Sequence, residues 1–335
     1  MRRLGRRRPL TAVVATTVLA LTASGCVTVH GELELLPAAT RAEAERALAD
    51  FTVAYNKADK ANDPALSAGR VTGPLGEINQ AGLRSRSVIS PGNNARHRPL
   101  ELTDVKFVLP KKAGWPRWFV ADTDSNQDTD QGRGDNRWLL VFVRNGADQL
   151  WEAAYLAILT PDEIPVFTMD GSGYAVPVAA DSGQLAVAPK DLGDKYAAFL
   201  AGGEQGGAQG QFAAGPHTTV WREQRQRAAK RAGLATQYVD RAENSGDFAP
   251  LALATRDGGA LVFFATRYFE RQTAAQGYRP KVGPEVKALM TGEVKNTVTK
   301  EWVSSQTVLV KPAGAERDGV TIAGRLQGVT AAVGS

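Results

Sequence analysis

Acidic and amide side chains are concentrated in one short segment, and their spacing is that of a candidate metal site. Between residues 122 and 135 the chain alternates carboxylates with small polar residues. Calcium binds six to eight oxygen atoms, and alternating Asp and Asn side chains on a loop supply such oxygens. Counting the positions of a calcium-binding loop from its first aspartate selects five ligands: Asp124, Asn126, Asp128, Asp130 and Asp135. The segment therefore predicts a calcium site, and a hairpin loop whose polar side chains are simply solvated is the other interpretation.

Four large aromatic side chains lie on neighbouring predicted strands: Trp118, Trp138, Trp151 and Tyr155. Aromatic residues on adjacent strands can line a ligand pocket. They also fill ordinary protein cores. Both interpretations stay open from the sequence.

The residues needed for nucleophilic or zinc-dependent catalysis are scarce. The sequence has one cysteine and three histidines, His30, His97 and His217. None of these histidines falls at the end of an apolar strand, where the histidine of a catalytic triad is held, and scattered histidines do not form a zinc site. We therefore expect no cofactor apart from calcium and favour a protein that is not an enzyme. Hydrolysis by two carboxylates stays open, because 35 acidic residues offer many pairs.

The charge of the chain is concentrated at its N-terminus. The chain has 40 Lys and Arg against 35 Asp and Glu, and five arginines within residues 1–25 account for the whole excess. The same segment contains no acidic residue. Without it the chain is electrically balanced, which argues against a nucleic-acid partner.

Residues 1–25 are typical of an export signal. An apolar stretch from Leu10 to Leu21 follows the arginines. It is too short for a permanent transmembrane helix, which needs about 20 apolar residues, and it suits the apolar region of a secretory signal. Arg7 and Arg8 leave both the general secretory route and the twin-arginine route open.

The only cysteine follows this signal directly, in the order Ala23-Ser24-Gly25-Cys26. This segment resembles the lipobox of bacterial lipoproteins. The resemblance implies transfer of a diacylglyceryl group to the Cys26 sulfur, cleavage between Gly25 and Cys26, and further acylation by a fatty acid such as palmitate. An ordinary signal peptide with an incidental cysteine is the alternative.

The first half of the remaining chain predicts helices followed by strands. Thr40 and Glu43 have the spacing of a capping box, and apolar residues at helical intervals follow as far as Asn62-Asp63-Pro64. A weaker helical pattern covers residues 65–82. Six strands are expected after it, at 102–109, 118–121, 138–143, 151–159, 164–169 and 174–178.

The second half repeats this order. Helices are expected over 191–201 and from Thr218 or Thr219 to Ala232, separated by a glycine-rich loop at 202–216. The second helix is strongly basic, and we interpret it as a solvated face of a domain. Strands are expected at 238–239, 251–255, 260–269, 297–310 and 320–326.

The repeated order predicts an α+β fold of two similar domains, residues 40–185 and 186–335, after a signal peptide (1–25) and a lipidated cysteine with its tether (26–39). Each domain is expected to pack N-terminal helices on a curved antiparallel sheet. This order resembles the SnoaL-like cone of the nuclear-transport-factor-two superfamily. The whole chain also resembles a family of actinobacterial lipoproteins.

These observations together predict a lipid-anchored extracytoplasmic lipoprotein of the cell membrane. We expect it to act without catalysis, as a binding or scaffold module for an envelope protein or ligand, with the membrane as its partner through the diacylglyceryl anchor. The alternative is a SnoaL-like small-molecule-binding protein or enzyme with a pocket inside one cone.

Overall fold

The computed structural model describes residues 34–130, 132–202, 210–315 and 317–335. In chain order the helices and strands are β1 (Leu36–Pro37), α1 (Arg41–Ala61), α2 (Gly73–Ile89), β2 (Leu102–Val108), β3 (Lys111–Lys112), β4 (Arg117–Ser125), β5 (Arg137–Arg144), β6 (Glu152–Leu159), α3 (Leu192–Leu200), α4 (Thr219–Ala229), β7 (Lys230–Arg231), β8 (Leu234–Glu243), β9 (Leu251–Ala254), β10 (Ala260–Ala274), α5 (Pro284–Ala288), β11 (Met290–Gly292), β12 (Thr297–Val310) and β13 (Val320–Gly334).

The first helix begins and ends at signals in its own sequence. The backbone N–H of Glu43 donates to the Thr40 hydroxyl, and the Glu43 carboxylate accepts from the Thr40 backbone N–H at 2.8 Å. At the other end Asn62 adopts a left-handed conformation with φ of 51°. This cap ends the helix because its backbone N–H bonds back to the last turn.

Two sheets form the centre of the molecule. The first is antiparallel, with strand order β2-β4-β5-β6. The second has the order β11-β13-β12-β10-β8-β7, with β9 added beside β10. All of its pairs are antiparallel except β11 with β13. A separate short pair joins β1 to β3.

The two sheets pack face to face through a shared core. Alternate residues of β4, β5 and β6 meet alternate residues of β9 and β10, and the buried contacts include Val141, Tyr155, Leu253, Leu261 and Phe263. The phenol of Tyr155 also donates to the Phe248 carbonyl oxygen at 2.8 Å. Removing these faces from water stabilises the packed sheets by about 25 cal/mol for each Å² of apolar surface.

Helices cover the two outer faces. Ala44, Leu48 and Phe51 of α1 pack with Phe119 and Phe142 on the outer face of the first sheet. On the second sheet, side chains of α3 and Trp221 of α4 pack on β10, β12 and β13. The layers are therefore helices, sheet, sheet and helices.

Ion pairs fix two of these helices, one through a partly exposed cluster and one through a buried pair. Arg267 of β10 donates to Glu77 of α2 at 2.9 Å, to Glu243 of β8 at 2.7 Å and to Glu301 of β12. It therefore ties α2 to three strands of the second sheet. The side chain of Arg267 is 17% exposed and that of Glu77 is 38% exposed, so solvent screens this pair and it contributes less than a fully buried pair.

Arg225 plays the same part in α4. Its guanidinium donates to both carboxylate oxygens of Asp240, at 2.9 and 2.7 Å, and packs over the rings of Trp221, Tyr238 and Tyr268. Burial raises the pKa of the Asp240 carboxyl, and the paired guanidinium opposes that shift. Arg225 is 5% exposed, so the interpretation of this helix as a fully solvated basic face is wrong at that residue.

The structure confirms the α+β class and the antiparallel pairing. Two cones are not found among the described residues, because neither sheet closes and both sheets contribute to one core. Residues 164–178 make only isolated bridges instead of strands, and two of these join Phe167 and Pro177 to the second sheet. The domain boundary at residue 185 stays a prediction.

The observed boundaries of helices and strands differ most from the predicted ones where the local sequence signals are weak. The helix expected over 65–82 lies at 73–89, and it begins at Gly73, whose φ is +54°. A Cβ at that glycine would lie 2.4 Å from the Asp247 carbonyl oxygen. Position 73 therefore requires a glycine, and Thr72 at the N-cap and Pro74 in the first turn accompany the start of α2.

The shared core generates a test of cooperativity. Phe263→Ala should lower the free energy of unfolding by about 3–5 kcal/mol, because it leaves a cavity between the two sheets. Urea unfolding followed by tryptophan fluorescence and by circular dichroism should show one transition, shifted as a whole. Leu150→Ala, at a side chain that is 52% exposed, is the control and should change stability by less than about 0.5 kcal/mol. Two separate transitions, of which only one moved, would show that the halves unfold independently.

Candidate functional site

A cleft opens where α1 and α2 leave the first sheet. Its inner part is a chamber of about 360 Å³ that is walled mainly by apolar side chains. Its outer part is a polar mouth of about 450 Å³. Four residues line both parts: Tyr55, Asp59, Arg86 and Trp138. The two cavities are therefore parts of one cleft.

The apolar chamber is built from both helices and from strands of both sheets. Phe51 and Leu75 come from α1 and α2, Leu156 and Ile158 come from β6, and Leu326 comes from β13. The chamber lies beside the outer core of the first sheet, to which Phe51, Leu75, Trp138 and Leu156 also belong. An apolar group is the ligand part that such a chamber suits.

The mouth is basic. Arg86, Arg96 and Arg98 line it against a single carboxylate, Asp59. Arg96 and Arg98 are exposed, and Arg98 donates to the Asn126 carbonyl oxygen at 3.3 Å. Three guanidinium groups facing one carboxylate leave two positive charges for an incoming anion, and guanidinium groups bind carboxylates and phosphates with paired hydrogen bonds.

Asp59 organises this mouth. Its carboxylate accepts from Arg86 at 3.1 Å and from the Asn94 side-chain amide at 3.1 Å, and it lies 2.7 Å from Nδ1 of His97. The Asn94 backbone N–H also donates to the Lys60 carbonyl oxygen at 2.7 Å. The segment that carries Arg96 and Arg98 is thus folded back onto the end of α1.

Tyr55 stands one helical turn before Asp59 on the same face of α1. Burial raises the pKa of its phenol, and the Asp59 charge adds to the effect. The phenol is therefore neutral over the physiological range and is available as a hydrogen-bond donor. His97 does not line the chamber or the mouth. Its contact with Asp59 therefore positions the segment that carries Arg96 and Arg98.

A side groove continues the cleft between α2 and α5. Its volume is about 840 Å³, and Ile78, Ile89 and Val286 supply its apolar surface beside Arg86 and Arg96. The hydroxyl of Ser85 donates to the Glu285 carbonyl oxygen at 3.0 Å and fixes α5 at this place.

The structure brings together three of the five residues predicted to bind calcium. One oxygen from each of Asp124, Asp128 and Asp130 lies within 4.8 Å of the others. Asp135 is outside this group. The Asn126 amide oxygen accepts instead from the Glu101 backbone N–H at 3.0 Å. Strand β4 extends through Ser125, so Asp124 belongs to a strand and the loop is shorter than the sequence indicates.

The four aromatic residues are divided between the two faces of the first sheet. Trp138 and Trp151 point toward the helices, and Trp118 and Tyr155 point into the core between the sheets. Of the four, only Trp138 lines the cleft. Together they do not surround one pocket.

The predicted lipidation and cleavage residues, Cys26 and Gly25, lie outside the described residues. Among the helices that the structure does describe, none is long and apolar enough to cross a membrane.

Asp59 and Arg86 were not predicted from the sequence as site residues. The spacing of Tyr55 and Asp59 on one helix face was a usable signal. Arg86 and His97 come to Asp59 from 27 and 38 positions away, and no local pattern encodes contacts of that range.

Comparison with known proteins shows that the chain is similar to proteins named as lipoproteins. The model of a family described as "Domain of unknown function (DUF8094)" matches residues 35–334. An uncharacterized lipoprotein of Streptomyces avermitilis is 51% identical over 324 residues, covering 96% of this chain and 94% of that protein. One from Streptomyces coelicolor is 50% identical over 321 residues, covering 96% and 93%. A second lipoprotein of that organism is 24% identical over 329 residues, covering 91% and 89%.

The cluster of Asp124, Asp128 and Asp130 allows a test of calcium binding. Three carboxylates suit a weak site, with a dissociation constant of about 1 mM, as in extracellular calcium modules. About 10 mM calcium should then stabilise the chain by about 1.4 kcal/mol, which differential scanning calorimetry detects as a rise in melting temperature. Asp128→Asn should abolish the rise, whereas Asp162→Asn, at an exposed acid outside the group, should keep it. An unchanged melting temperature of the parent chain at millimolar calcium would remove the hypothesis.

Proposed function

The chain belongs to the DUF8094 family, and we propose that it is a lipid-anchored envelope protein that binds an amphipathic anion in the cleft beside α1 and α2. The observation that supports this proposal is the apolar chamber opening directly into the mouth lined by Arg86, Arg96 and Arg98. An apolar group in the chamber would place a carboxylate or phosphate among these guanidinium groups.

The anchor in this proposal is Cys26. The sequence before it resembles a lipobox, and the similar Streptomyces proteins are lipoproteins. Each buried CH₂ group contributes about 0.8 kcal/mol to membrane binding, so two acyl chains hold a protein where one chain gives marginal binding. The protein would then act at the outer, extracytoplasmic face of the cell membrane.

A cleft for a small ligand is favoured over a purely structural scaffold. Tyr55, Asp59 and Arg86 direct polar groups into a space that side chains of the protein leave open. A scaffold domain needs no such space, because a filled core is more stable than one with a cavity. A SnoaL-like enzyme is the second candidate. It would need a proton-transferring group in the cleft, and there Asp59 is engaged with Arg86 and His97.

The cleft predicts selective binding of an anionic amphiphile. Dodecyl phosphate, measured by isothermal titration calorimetry, should bind more tightly than dodecyltrimethylammonium, which has the same chain and the opposite charge. Replacing both Arg96 and Arg98 by Gln should weaken dodecyl phosphate binding about tenfold or more, which corresponds to about 1.4 kcal/mol.

The control for this experiment removes two charges from the same region without touching the mouth. Arg46 and Lys57 are exposed on α1 and line neither part of the cleft. Arg46→Gln with Lys57→Gln should leave binding unchanged. Equal loss in both double variants, or equal binding of the two amphiphiles, would show that overall charge and not the cleft is responsible.

The anchor predicts a separate outcome for Cys26→Ser. Without the thiol no diacylglyceryl group is attached, so the protein should be released from membranes or accumulate as its uncleaved precursor. Labelling of cells with a radioactive fatty acid, followed by immunoprecipitation, should mark the parent chain and a Thr28→Ala control but not Cys26→Ser. Persistent labelling of Cys26→Ser would contradict the assignment of the anchor.

A further inference from the structure

We propose that the end of the fold where the tether arrives is a membrane-contacting surface that binds anionic phospholipid headgroups. This tether patch consists of Leu35, Lys112, Trp115, Arg117 and Arg144. The proposal goes beyond the ligand cleft, and it rests on the proposed anchor at Cys26.

The tether brings this end of the fold close to the bilayer. Leu36 follows Cys26 by ten positions, and ten extended residues span at most about 35 Å. Leu36 pairs with Lys112 in the short sheet of β1 and β3, and the Ala38 backbone N–H donates to the Pro110 carbonyl oxygen at 2.9 Å. The part of the fold nearest the anchor is therefore the strand that carries Lys112.

An exposed tryptophan lies in the loop that follows this strand. Trp115 is 37% exposed, and Leu35, the residue directly before β1, is 65% exposed. The other five tryptophans of the chain are buried or half-buried. Tryptophan is favoured at the boundary between lipid and water, because its ring is apolar and its N–H donates a hydrogen bond.

Two arginines pack against the ring of this tryptophan. The guanidinium carbons of Arg117 and Arg144 lie 4.8 and 5.2 Å from the centre of the Trp115 ring. The two arginines face each other in the register of β4 and β5. Like charges at directly opposite positions of adjacent strands destabilise a sheet, so this end of the first sheet holds a repulsion that an anion would relieve.

The described part of the chain offers little to offset that repulsion. The nearest carboxylate oxygen is that of Glu43, 3.7 Å from Arg144. Within the same described ranges the Nε atoms of Arg117 and Arg144 are buried without a hydrogen-bond partner. Lys111 is already paired with Asp170 at 2.8 Å, which leaves Lys112 as the lysine beside the tether. Phosphate oxygens of lipid headgroups are acceptors for the Lys112 ammonium and for the guanidinium nitrogens of the two arginines other than their buried Nε atoms.

The test uses the acylated full chain in vesicles of phosphatidylglycerol and phosphatidylcholine whose acyl chains carry bromine, a quencher of tryptophan fluorescence at short range. Flotation of the vesicles reports the anchor, and quenching reports contact of the tether patch with the bilayer. We expect the parent chain to float and to be quenched, and Trp115→Phe to float while losing most of the quenching. Exchanging phosphatidylglycerol for phosphatidylcholine should reduce the quenching of the parent.

Charge variants test the headgroup contact. Lys112→Gln alone, and with Arg117→Gln, should reduce quenching stepwise in the anionic vesicles. The control is Arg256→Gln with Lys281→Gln, which removes two exposed charges from the second half of the chain and should leave quenching unchanged.

Three outcomes would overturn the proposal. Flotation without quenching would show that the anchor holds and the tether patch does not touch lipid. Equal quenching of the parent and Trp115→Phe would assign the contact to another surface. Failure of the parent to float would refute the anchor itself, and the membrane surface proposed here would fall with it.

Discussion

Packing of the two sheets against each other is the constraint on which the rest of the structure depends. A strand between another sheet on one side and helices on the other must be apolar on both faces. Strand β5 meets this demand with a run of buried residues from Trp138 to Val143, and β10 meets it with residues from Ala260 to Ala265. Because both faces of the central strands are covered, the helices must lie outside the two sheets.

The cleft is a consequence of the way α2 is held. This helix packs on β6 of the first sheet, and its Glu77 is bound by Arg267 of the second sheet. It therefore bridges the two sheets and does not lie flat on the first one beside α1. Phe51 packs on the first sheet and also lines the chamber, which extends to Tyr55 and Asp59. The chamber lies along this bridging helix, because Leu75, Ile78 and Arg86 of α2 line it.

Local signals in the sequence predicted the elements that are encoded locally. The capping box at Thr40 predicted the start of α1, and the strand expected over 297–310 matches β12 at both ends. Strand β13 continues to Gly334, beyond the expected end at 326. The prediction ended early because the later residues of the strand are small and alternate weakly between apolar and polar. The pairing of Asp59 with Arg86 and His97 depends on tertiary packing. A single sequence contains no pattern that places residues so far apart at one cleft mouth.

The geometry of α1 relates the anchor to the cleft. A helix of 21 residues is about 30 Å long. Its first turn lies at the tether patch, where Glu43 approaches Arg144, and its last turn carries Asp59 at the cleft mouth. With the tether patch on the bilayer, the mouth would lie up to about 30 Å from it along the helix. If both proposals hold, a mouth at that distance suits an amphiphile that leaves the bilayer better than a lipid that stays inserted in it.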